Sequence, residues 1–472
     1  SRGLGDVYKR QAPNIFNVVN LDKSQKKTPK TGWHEQTQSF FYSLELGWKS
    51  QLFVTTTGRN DWASQLANSP QKSFFYPSVG VSWLPSSTFN FPEKFNYLKI
   101  RASWASVANP FPRELTIATH PYDDTISGWD DKSNYPIGQL YPERTKTWEL
   151  GFDARFLHGF TLSASWYRAD TYNQTFNPNL SASSGYSDIY IQTGHVRNTG
   201  VEASLGYDHQ WKNWNWNSQF TFSWNKNKII ELCKEWYNPI TEETITMNRL
   251  QISKLGRAKF ILKEGGSMGD LYSTTDLRRD DKGNIEIDEG GNVVVEDNLP
   301  DMKLGSVFPD YNLAWRNSVS WKNLNLGFLV TARIGGIVNS LTQANMDLFG
   351  VSEATAAARD AGGALVNGRS LVNPETWYTA IASQGGIPQY YTYSATNVRL
   401  QELSLGYTIP RKWLHNICSI TVSFVGRNLW MMYCKAPFDP EAVASTNNFY
   451  QGMDYFMMPS TRNLGFNINI KF

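Results

Sequence analysis

The sequence contains no apolar run that could cross a bilayer as a helix. Its 472 residues are 40% hydrophobic, and the mean hydropathy is -0.45. No window approaches the roughly 20 consecutive apolar residues that a spanning helix needs. A helical membrane protein is therefore excluded, while the length still allows either several ordinary domains or one large barrel.

Cysteine is scarce, and neither sign of charge dominates. Cys233, Cys418 and Cys434 are an odd number without the spacing of a metal site, so neither a disulfide framework nor a zinc site is indicated. The formal net charge is only +3, with 45 Lys and Arg against 42 Asp and Glu. Because these charges are spread along the chain, the concentrated basic surface of a nucleic-acid-binding protein is missing. We predict no nucleic-acid partner.

Catalytic motifs are also missing. The six histidines share no nucleophile or metal motif, and no G-x-S-x-G, H-E-x-x-H or phosphate-loop pattern occurs. The acidic stretch DDKGNIEIDEGGNVVVED at 280–297 lacks the ligand spacing and the closing Glu of an EF-hand. We interpret it as an extracellular hairpin. We therefore expect no enzymatic activity, no metal and no cofactor.

The first eleven residues, SRGLGDVYKRQ, contain no initiator Met and no apolar signal region. They resemble read-through of a sequencing adapter. We expect residues 1–11 to be a non-native leader and the natural start to have been removed by truncation.

What the sequence does contain is alternation of apolar and polar residues. In the last twelve residues, TRNLGFNINIKF, every second residue from Leu464 to Phe472 is apolar, and the residues between are polar or small. This period of two predicts a strand with one apolar and one polar face. A soluble sandwich would bury the apolar face in a core, whereas an outer-membrane barrel would turn it toward lipid.

The same alternation recurs in pairs of long strands joined by short turns. We predict seven pairs and a final strand, about 15 strands in all, with at least one further strand before the first pair. The pairs are SFFYSLELGW with LFVTTTGRN, FFYPSVGVSWL with YLKIRASWA, WELGFDARF with FTLSASWYR, GVEASLGYDHQW with WNSQFTFSWN, a weaker pair within 253–277, LAWRNSVSW with LNLGFLVTARI, and VRLQELSLGYTI with SITVSFVGRNL.

Long polar segments separate the pairs. Short turns alternating with long loops are typical of an outer-membrane barrel, and strands of ten or more residues are long enough to cross a bilayer when tilted. We therefore predict an all-β, antiparallel transmembrane barrel. The long segments are about residues 60–73, 108–144, 177–194, 232–252, 278–310, 335–396 and 432–460.

From about residue 74 onward, the order of short motifs resembles the C-terminal barrel of the SusC-like, TonB-dependent outer-membrane transporters of Bacteroidetes. The resemblance covers most of the chain, and its strength lies in the order of the motifs rather than in any one of them. The motifs are FFYPSVGVSW, YLKIRASWASVAN, TWELGFDARF, GHVRNTGVEASL, SVFPDYNLAWRNSVSW, VSEATAAARDAGGALVNG, ATNVRLQELSLGYTIPRKWL, VGRNLW, FDPEA and the terminal aromatic strand.

This resemblance implies a barrel of about 22 strands with a plugged lumen, of which residues 12–472 would supply the C-terminal part. About seven strands, the plug and the TonB-contacting segment would lie outside the chain. The implied function is import of oligosaccharides or peptides. Implied partners are a SusD-like surface lipoprotein, the TonB complex, the barrel-insertion machinery and outer-membrane lipid. A passive porin-like channel and a secreted carbohydrate-binding β-protein remain as alternatives.

Aromatic residues give the candidate functional positions. In the family and in outer-membrane barrels generally, an aromatic C-terminus after an alternating strand is a membrane-insertion signal, here Phe472 with Ile470, Ile468 and Phe466. The alternative is a closing strand whose last residue happens to be aromatic. Tryptophans beside short turns predict interfacial anchors, with sugar stacking as the alternative: Trp211, Trp214, Trp216 and Trp321.

Aromatic rings in the long loops are candidates for ligand or partner contact, because exposed rings supply stacking area at low entropic cost. Packing within the loops is the alternative. These residues are Trp129, Tyr135, Tyr141, Trp377, Tyr390, Tyr391 and Tyr393. The alanine-rich stretch VSEATAAARDAGGALV at 351–366 predicts a short loop helix that ends before Gly362 and Gly363.

Overall fold

The computed structural model describes most of the chain from residue 34 onward. The predicted non-native leader, residues 1–11, lies outside the described residues. The described ranges are 34–67, 69–112, 115, 122–123, 128–129, 134–135, 140–176, 188–192, 194–238, 242–447 and 450–472.

Thirteen antiparallel strands form one sheet in the described part of the chain, and their order in the sheet follows the sequence. Six of the seven predicted pairs and the final strand appear in it, so the antiparallel barrel architecture is confirmed. The strands are β1 Thr37–Trp48, β2 Leu52–Ala63, β3 Phe74–Trp83, β4 Phe95–Asn109, β5 Glu143–Phe156, β6 Phe160–Tyr172, β7 His195–Gln210, β8 Trp214–Glu231, β9 Tyr311–Trp321, β10 Leu324–Ile334, β11 Asn397–Ile409, β12 Ser419–Cys434 and β13 Asn463–Lys471.

The prediction that residues 253–277 contribute a pair of strands to the wall is wrong. Among the described residues, the wall therefore has 13 strands rather than about 15. Its residues belong to a separate four-stranded sheet of Arg249–Leu255, Ala258–Lys263, Asp270–Ser273 and Met302–Ser306. These strands have seven residues at most, whereas crossing a bilayer takes about 9–11. Phe260, Ile261 and Leu262 are buried in succession, so both faces of this sheet are covered by protein.

Tight turns fix the register of the wall. Lys49 and Ser50, between β1 and β2, have left-handed φ values of 50° and 54°, and the Gln51 N–H donates to the Trp48 carbonyl at 2.9 Å, so the connection is a tight turn of three residues. Once a turn sets the register, paired residues share a face of the sheet. Because the short turns join alternate strands, all of them lie at one end of the sheet, and the long loops lie at the other.

The register places pairs of apolar residues opposite each other on the outer face. Trp104 pairs with Trp148, Phe220 with Trp315 and Phe424 with Phe466. Large side chains in these rows are exposed, including Trp148 at 56% and Phe466 at 78%. No second layer of described residues covers them. This continuous apolar face is the surface that an outer-membrane barrel presents to lipid.

The loops carry all the helices in the described ranges and most of the buried residues. No helix of the described chain is long and apolar enough to cross a membrane. The predicted loop helix is confirmed as α3. The helices are α1 Pro85–Thr88, α2 Leu341–Leu348, α3 Glu353–Asp360, α4 Pro374–Ala382 and α5 Pro388–Tyr391, with 3-10 turns at Ser64–Leu66, Ser383–Gly385 and Arg411–Leu414.

Short strands join the loops to one another. A three-stranded sheet unites Ile337–Ser340, Thr392–Ser394 and Met453–Asp454, so the loop between β10 and β11 and the loop between β12 and β13 share one structure. Phe260, Leu271 and Met453 form part of a core beside it and are completely buried. The remaining pairs are Tyr122–Asp123 with Gly128–Trp129, Asn134–Tyr135 with Asp188–Ile189, Thr175–Phe176 with Ile191–Gln192, Cys233–Asn238 with Glu243–Met247, Asp276–Leu277 with Val295–Glu296, and Ala364–Val366 with Ser370–Val372.

Candidate functional site

The polar face of the sheet carries a row of charged and small residues that runs across seven strands. In this row, which we call the wall row, each residue is directly opposite the next on the neighbouring strand. It alternates in charge, because a glutamate lies midway between two arginines. The wall row is Arg101, Gly151, Ser165, Glu202, Ser223, Asn312 and Arg333, from β4 to β10.

The wall row lines a cavity of about 690 Å³. Because residues from β4 to β11 face the same space, the sheet is concave on its polar side. The volume lies within the roughly 300–1,000 Å³ of typical ligand pockets. Small hydroxyl and amide side chains make up most of the floor: Ser163, Ser165, Ser204, Thr221, Ser223, Asn312 and Thr331.

Arg101 is held against the wall, because position 151 is a glycine. Its Nη1 donates to Asp153 Oδ2 at 2.6 Å, and its Nε lies 3.6 Å from Glu149 Oε1. A β-carbon at Gly151 would come within 2.9 Å of the guanidinium. The Ser163 hydroxyl donates to the other oxygen of Asp153 at 2.7 Å. The charge of Arg101 is therefore balanced within the wall.

A buried arginine fixes the loop at the opposite end of the cavity. The Arg399 side chain, on β11, is 5% exposed, and its Nη2 lies 2.7 Å from Asp439 Oδ1 and 3.2 Å from Glu441 Oε2. Burial acts to raise the pKa of Asp439, but hydrogen bonds from Arg399 outweigh burial and hold that pKa below its usual range. Both carboxylates belong to the motif FDPEA. The ion pairs hold this loop at the wall, where Glu441 lines the cavity.

Two charged groups of the cavity retain unused bonding capacity. Glu202 makes no hydrogen bond or ion pair in the described part of the chain. Arg333 donates from Nη2 to the carbonyl of Val307 at 3.1 Å, while its Nε finds no acceptor among the described residues. Glu202 is thus a carboxylate without a charged partner among the described residues, whereas the unsatisfied Nε of Arg333 is itself buried.

The residues of the predicted insertion signal lie together on the outer face of β13. This strand pairs only with β12, so its other edge is free in the described part of the chain. Phe472 is 91% exposed and Ile468 is 55% exposed. The geometry thus offers a strand edge with an apolar face for pairing, while its recognition by insertion machinery stays a prediction.

The predicted anchors lie at the end of the sheet with the short turns. The rings of Trp214 and Trp321 are 5.6 Å apart, and Trp216 Nε1 donates to Asn317 Oδ1 at 2.6 Å. Each ring is partly exposed, from 38% for Trp216 to 48% for Trp214. The sequence interpretation missed that other rings extend this group across β4 to β8. They are Phe91, Phe95, Phe156, Phe160 and Tyr207, in contact one after the next.

The loop aromatics do not converge on one ligand site in the described residues. Tyr391 is 1% exposed and donates to Asp347 Oδ2 at 3.0 Å. It packs in the loop core and offers no ring face to a ligand, which corrects the expectation for this residue. The physical reason is that α5 turns Tyr391 inward against α2. Trp377 and Tyr390 pack edge to face at 5.9 Å.

The other residues predicted to contact a ligand or partner differ from one another in exposure and packing. Tyr141 is 42% exposed. Tyr393 packs edge to face against Phe438 at 5.6 Å, and burial raises its pKa to about 12. The side chains of Trp129 and Tyr135 lie outside the part of the chain whose side chains the structure describes. Ligand contact by Tyr141, Trp377, Tyr390 and Tyr393 stays a prediction.

The acidic stretch at 280–297, expected to form one two-stranded hairpin, forms two short ones, bridged at Arg279 and Ile285 and at Ile287 and Val293, beyond the pairing of Asp276–Leu277 with Val295–Glu296. Asp280 accepts the backbone N–H of Asn284, and Asp288 accepts that of Asn292, each at 2.8 Å. Hydrogen bonds from the side chain and backbone of Asn284 hold the pKa of Asp280 below its usual value, and those from the backbone and side chain of Asn292 do the same to the pKa of Asp288. The carboxylates therefore stabilise turns. No group of three His, Cys, Asp or Glu in the described ranges could hold a metal ion.

An apolar outer face, a polar concave wall and long loops at one end define part of an outer-membrane β-barrel. The family profile described as TonB dependent receptor-like, beta-barrel matches residues 2–429. The chain belongs to this family and to the outer membrane, and its predicted SusC-like character is confirmed by similar proteins.

TonB-dependent receptor P3 of Formosa agariphila is 27% identical over 97% of this chain and 48% of its own length. TonB-dependent receptor SusC of Bacteroides thetaiotaomicron is 21% identical over 79% of this chain and 38% of its own length. The chain spans about half the length of the first of these relatives. The RagAB peptide importer in its open-open state has a TM-score of 0.71 at 18% identity, over 95% of this chain and 49% of that chain. This likeness shows the fold.

Proposed function

We propose that the chain forms the wall and extracellular loops of an outer-membrane importer that takes up oligosaccharides or peptides. One observation carries the proposal: the sheet is apolar outside and polar inside, and its inner wall holds a cavity with the charged groups Arg101, Glu202, Arg333 and Glu441. Such a wall keeps a polar solute in contact with hydrogen-bonding groups while the strands cross lipid.

The loops and strands that the chain supplies suggest which partners the importer would have. Apolar side chains are exposed at the loop end, such as Phe349 at 75% and Met458 at 83%, and a SusD-like lipoprotein would cover this end as a lid. Apolar side chains exposed in this way mark interaction surfaces when they are contiguous. The TonB complex would act through the N-terminal region of the full-length protein, and the insertion machinery through β13.

The test is uptake by intact cells that express the complete coding sequence with its lipoprotein partner. Labelled maltohexaose and a labelled pentapeptide are offered in turn, with and without an uncoupler of the inner membrane. Uptake of one of the two that stops with the uncoupler, and in a strain without TonB, is the expected result. Uptake that persists in both conditions would instead identify a passive porin-like channel, and no uptake of either solute would contradict the proposal.

A further inference from the structure

We propose that the outer face of β5 to β8 carries a binding site for the phosphate group of an anionic glycolipid in the outer leaflet of the membrane. The site is a group of cations that we call the basic patch: Lys146 on β5, Arg168 on β6, Arg197 on β7, and Lys226 and Lys228 on β8. It concerns the lipid around the barrel, so it does not depend on which solute the barrel imports.

The pairing of the strands brings the basic patch together on the lipid side of the sheet. Two neighbouring rows of directly opposed residues cross from β5 to β8, and the first begins at the lipid-facing Trp148. Because paired residues share a face of the sheet, every member of both rows lies on the outer face. The first row is Trp148, Arg168, Thr199 and Lys226, and the second is Lys146, Asp170, Arg197 and Lys228.

The basic patch lies at the border of the apolar band, on the side of the long loops. On β6, Phe160 belongs to the ring group near the short turns, and Arg168 follows eight residues later, about 27 Å along a strand. A strand tilt of about 40° reduces this to about 21 Å across the membrane. Long cationic side chains extend further toward the headgroups. An apolar band about 25 Å tall therefore ends where the basic patch begins.

One buried carboxylate orients the two arginines of the basic patch. Asp170 is 6% exposed, and it accepts from Arg168 Nε at 2.8 Å and from Arg197 Nε at 2.7 Å. His195 Nε2 lies 2.5 Å from the same carboxylate. Asp170 thus engages only the Nε of each arginine, and the Nη atoms of both have no hydrogen-bond partner among the described residues. Guanidinium groups held in this way present N–H donors to a phosphate at little further entropic cost.

The charges around the basic patch do not balance. The three lysines are exposed and make no ion pair with a described residue. Within and beside the two rows, six cations face two carboxylates: Arg144, Lys146, Arg168, Arg197, Lys226 and Lys228 against Asp170 and Glu231. A phosphate at the membrane surface supplies the negative charge that complements this excess, because basic side chains there are attracted to anionic headgroups.

The flanking strands do not continue this pattern. Next to the same border, their outer faces carry aromatic, aliphatic or small residues: Trp104 and Ser106 on β4, Tyr311 on β9 and Ile334 on β10. Cations that served only as interfacial anchors would be spread along the border, as the anchoring aromatic belts are. Because β5 to β8 have wall strands on both sides, strands of the full-length protein outside this chain would extend the sheet at its edges and leave this face toward lipid.

Native mass spectrometry of the purified full-length protein with its lipoprotein partner, in a neutral detergent, measures lipid binding. The probes are monophosphoryl lipid A, the same lipid without its phosphate, and inorganic phosphate. We expect the phosphorylated lipid to bind at least fivefold more tightly than the dephosphorylated lipid, since only the phosphate meets the basic patch. Inorganic phosphate at about ten times the lipid concentration should not displace it, because the acyl chains of the lipid add contacts with the apolar band.

Two variants test the residues of the basic patch. Arg168→Gln with Arg197→Gln should weaken binding of the phosphorylated lipid at least fivefold and leave the dephosphorylated lipid unaffected. Lys226→Gln with Lys228→Gln changes only exposed side chains, so it tests the proposal even if the arginine variant does not fold, and it should weaken binding at least threefold. Lys212→Gln with Lys322→Gln is the matched control: it removes two exposed charges in the short turns at the other end of the sheet and should bind like the wild type.

Three outcomes would overturn the inference. In the first, both patch variants bind the phosphorylated lipid as the control does, or the dephosphorylated lipid binds equally well. In the second, inorganic phosphate displaces the lipid, which would identify a site for the free ion. In the third, the patch variants retain the lipid but change the number of protein chains in the assembly, which would show that the basic patch contacts protein. Uptake by wild-type cells tests the proposed import function separately.

Discussion

The ion pair of Arg399 with Asp439 should control the stability of the loop after β12. The two side chains are 5% and 9% exposed, and removing one partner of a buried pair costs about 3–5 kcal/mol. Asp439→Asn leaves Glu441 3.2 Å from Arg399, but Glu441 is 41% exposed and compensates only in part. We expect a loss at the lower end of that range, about 3 kcal/mol, which is on the order of 100-fold in the local opening equilibrium.

Hydrogen exchange of the full-length protein in detergent measures this opening. Amides of residues 435–447 should exchange about 100-fold faster in Asp439→Asn, while those of β9 stay unchanged. Glu441→Gln is the control for an exposed partner and should cost no more than about 1 kcal/mol. Replacing both members, Arg399→Met with Asp439→Leu, should recover most of the loss. A change below about 1 kcal/mol in Asp439→Asn would refute the assignment of this pair as the main support of the loop.

The pair also predicts a pH dependence. Because Arg399 holds the folded pKa of Asp439 below its usual value, the stabilisation is fully present above the unfolded pKa of about 3.9. It is lost as the pH falls below that value and through the folded pKa. Exchange of the loop should therefore be similar at pH 7 and pH 5, once corrected for the intrinsic rate, and faster below pH 4. Asp439→Asn should abolish this additional acid response.

Three further outcomes follow from the same structure. Gly151→Ala should displace the Arg101 guanidinium from Asp153 and lower the stability of the barrel by no more than about 1 kcal/mol in urea unfolding, because both side chains are about one-third exposed; a larger loss would contradict this. Deleting Phe472 should reduce the folded fraction in the outer membrane several-fold by the gel-shift assay, and Phe472→Tyr should restore it; equal folding in the deletion would contradict the insertion signal. Asp301, whose pKa is lowered by its hydrogen bond from Arg249, should stabilise its loop sheet fully above about pH 4 and progressively less as the pH falls below that value, as measured by hydrogen exchange of wild type against Asp301→Asn.

The wall of the barrel was predictable because its determinants are local. Alternation along a strand sets the apolar and polar faces, and a short turn such as Lys49–Ser50 sets the register of its pair. The terminal strand illustrates this: Phe466 and Ile468 were assigned to the apolar face from spacing alone, and in the structure they pair with Phe424 and Val422 of the same face. Assigning these two residues to the apolar face therefore required no knowledge of contacts with residues distant in the sequence.

The loop structure was only partly predictable, because alternation does not distinguish lipid from a protein interior. The strand Ala258–Lys263 reads as a membrane strand, yet both of its faces are covered within the loops. Helices α2 and α4 were missed, although Ser340 caps the first and Asn373, followed by a proline, caps the second. Those capping residues were the available signal.

The wall cavity could not be read from the sequence, since its residues meet only through register. Arg101, Glu202 and Arg333 are separated by about a hundred residues along the chain, and each looks like one polar residue among many on an alternating strand. A slip of one residue at any hairpin would turn the strands beyond it inside out. The residues of the wall row are therefore opposite one another only if every connection between β4 and β10 sets the correct register. The same short turns thus determine both the polar residues that face the lumen and the apolar residues that face lipid.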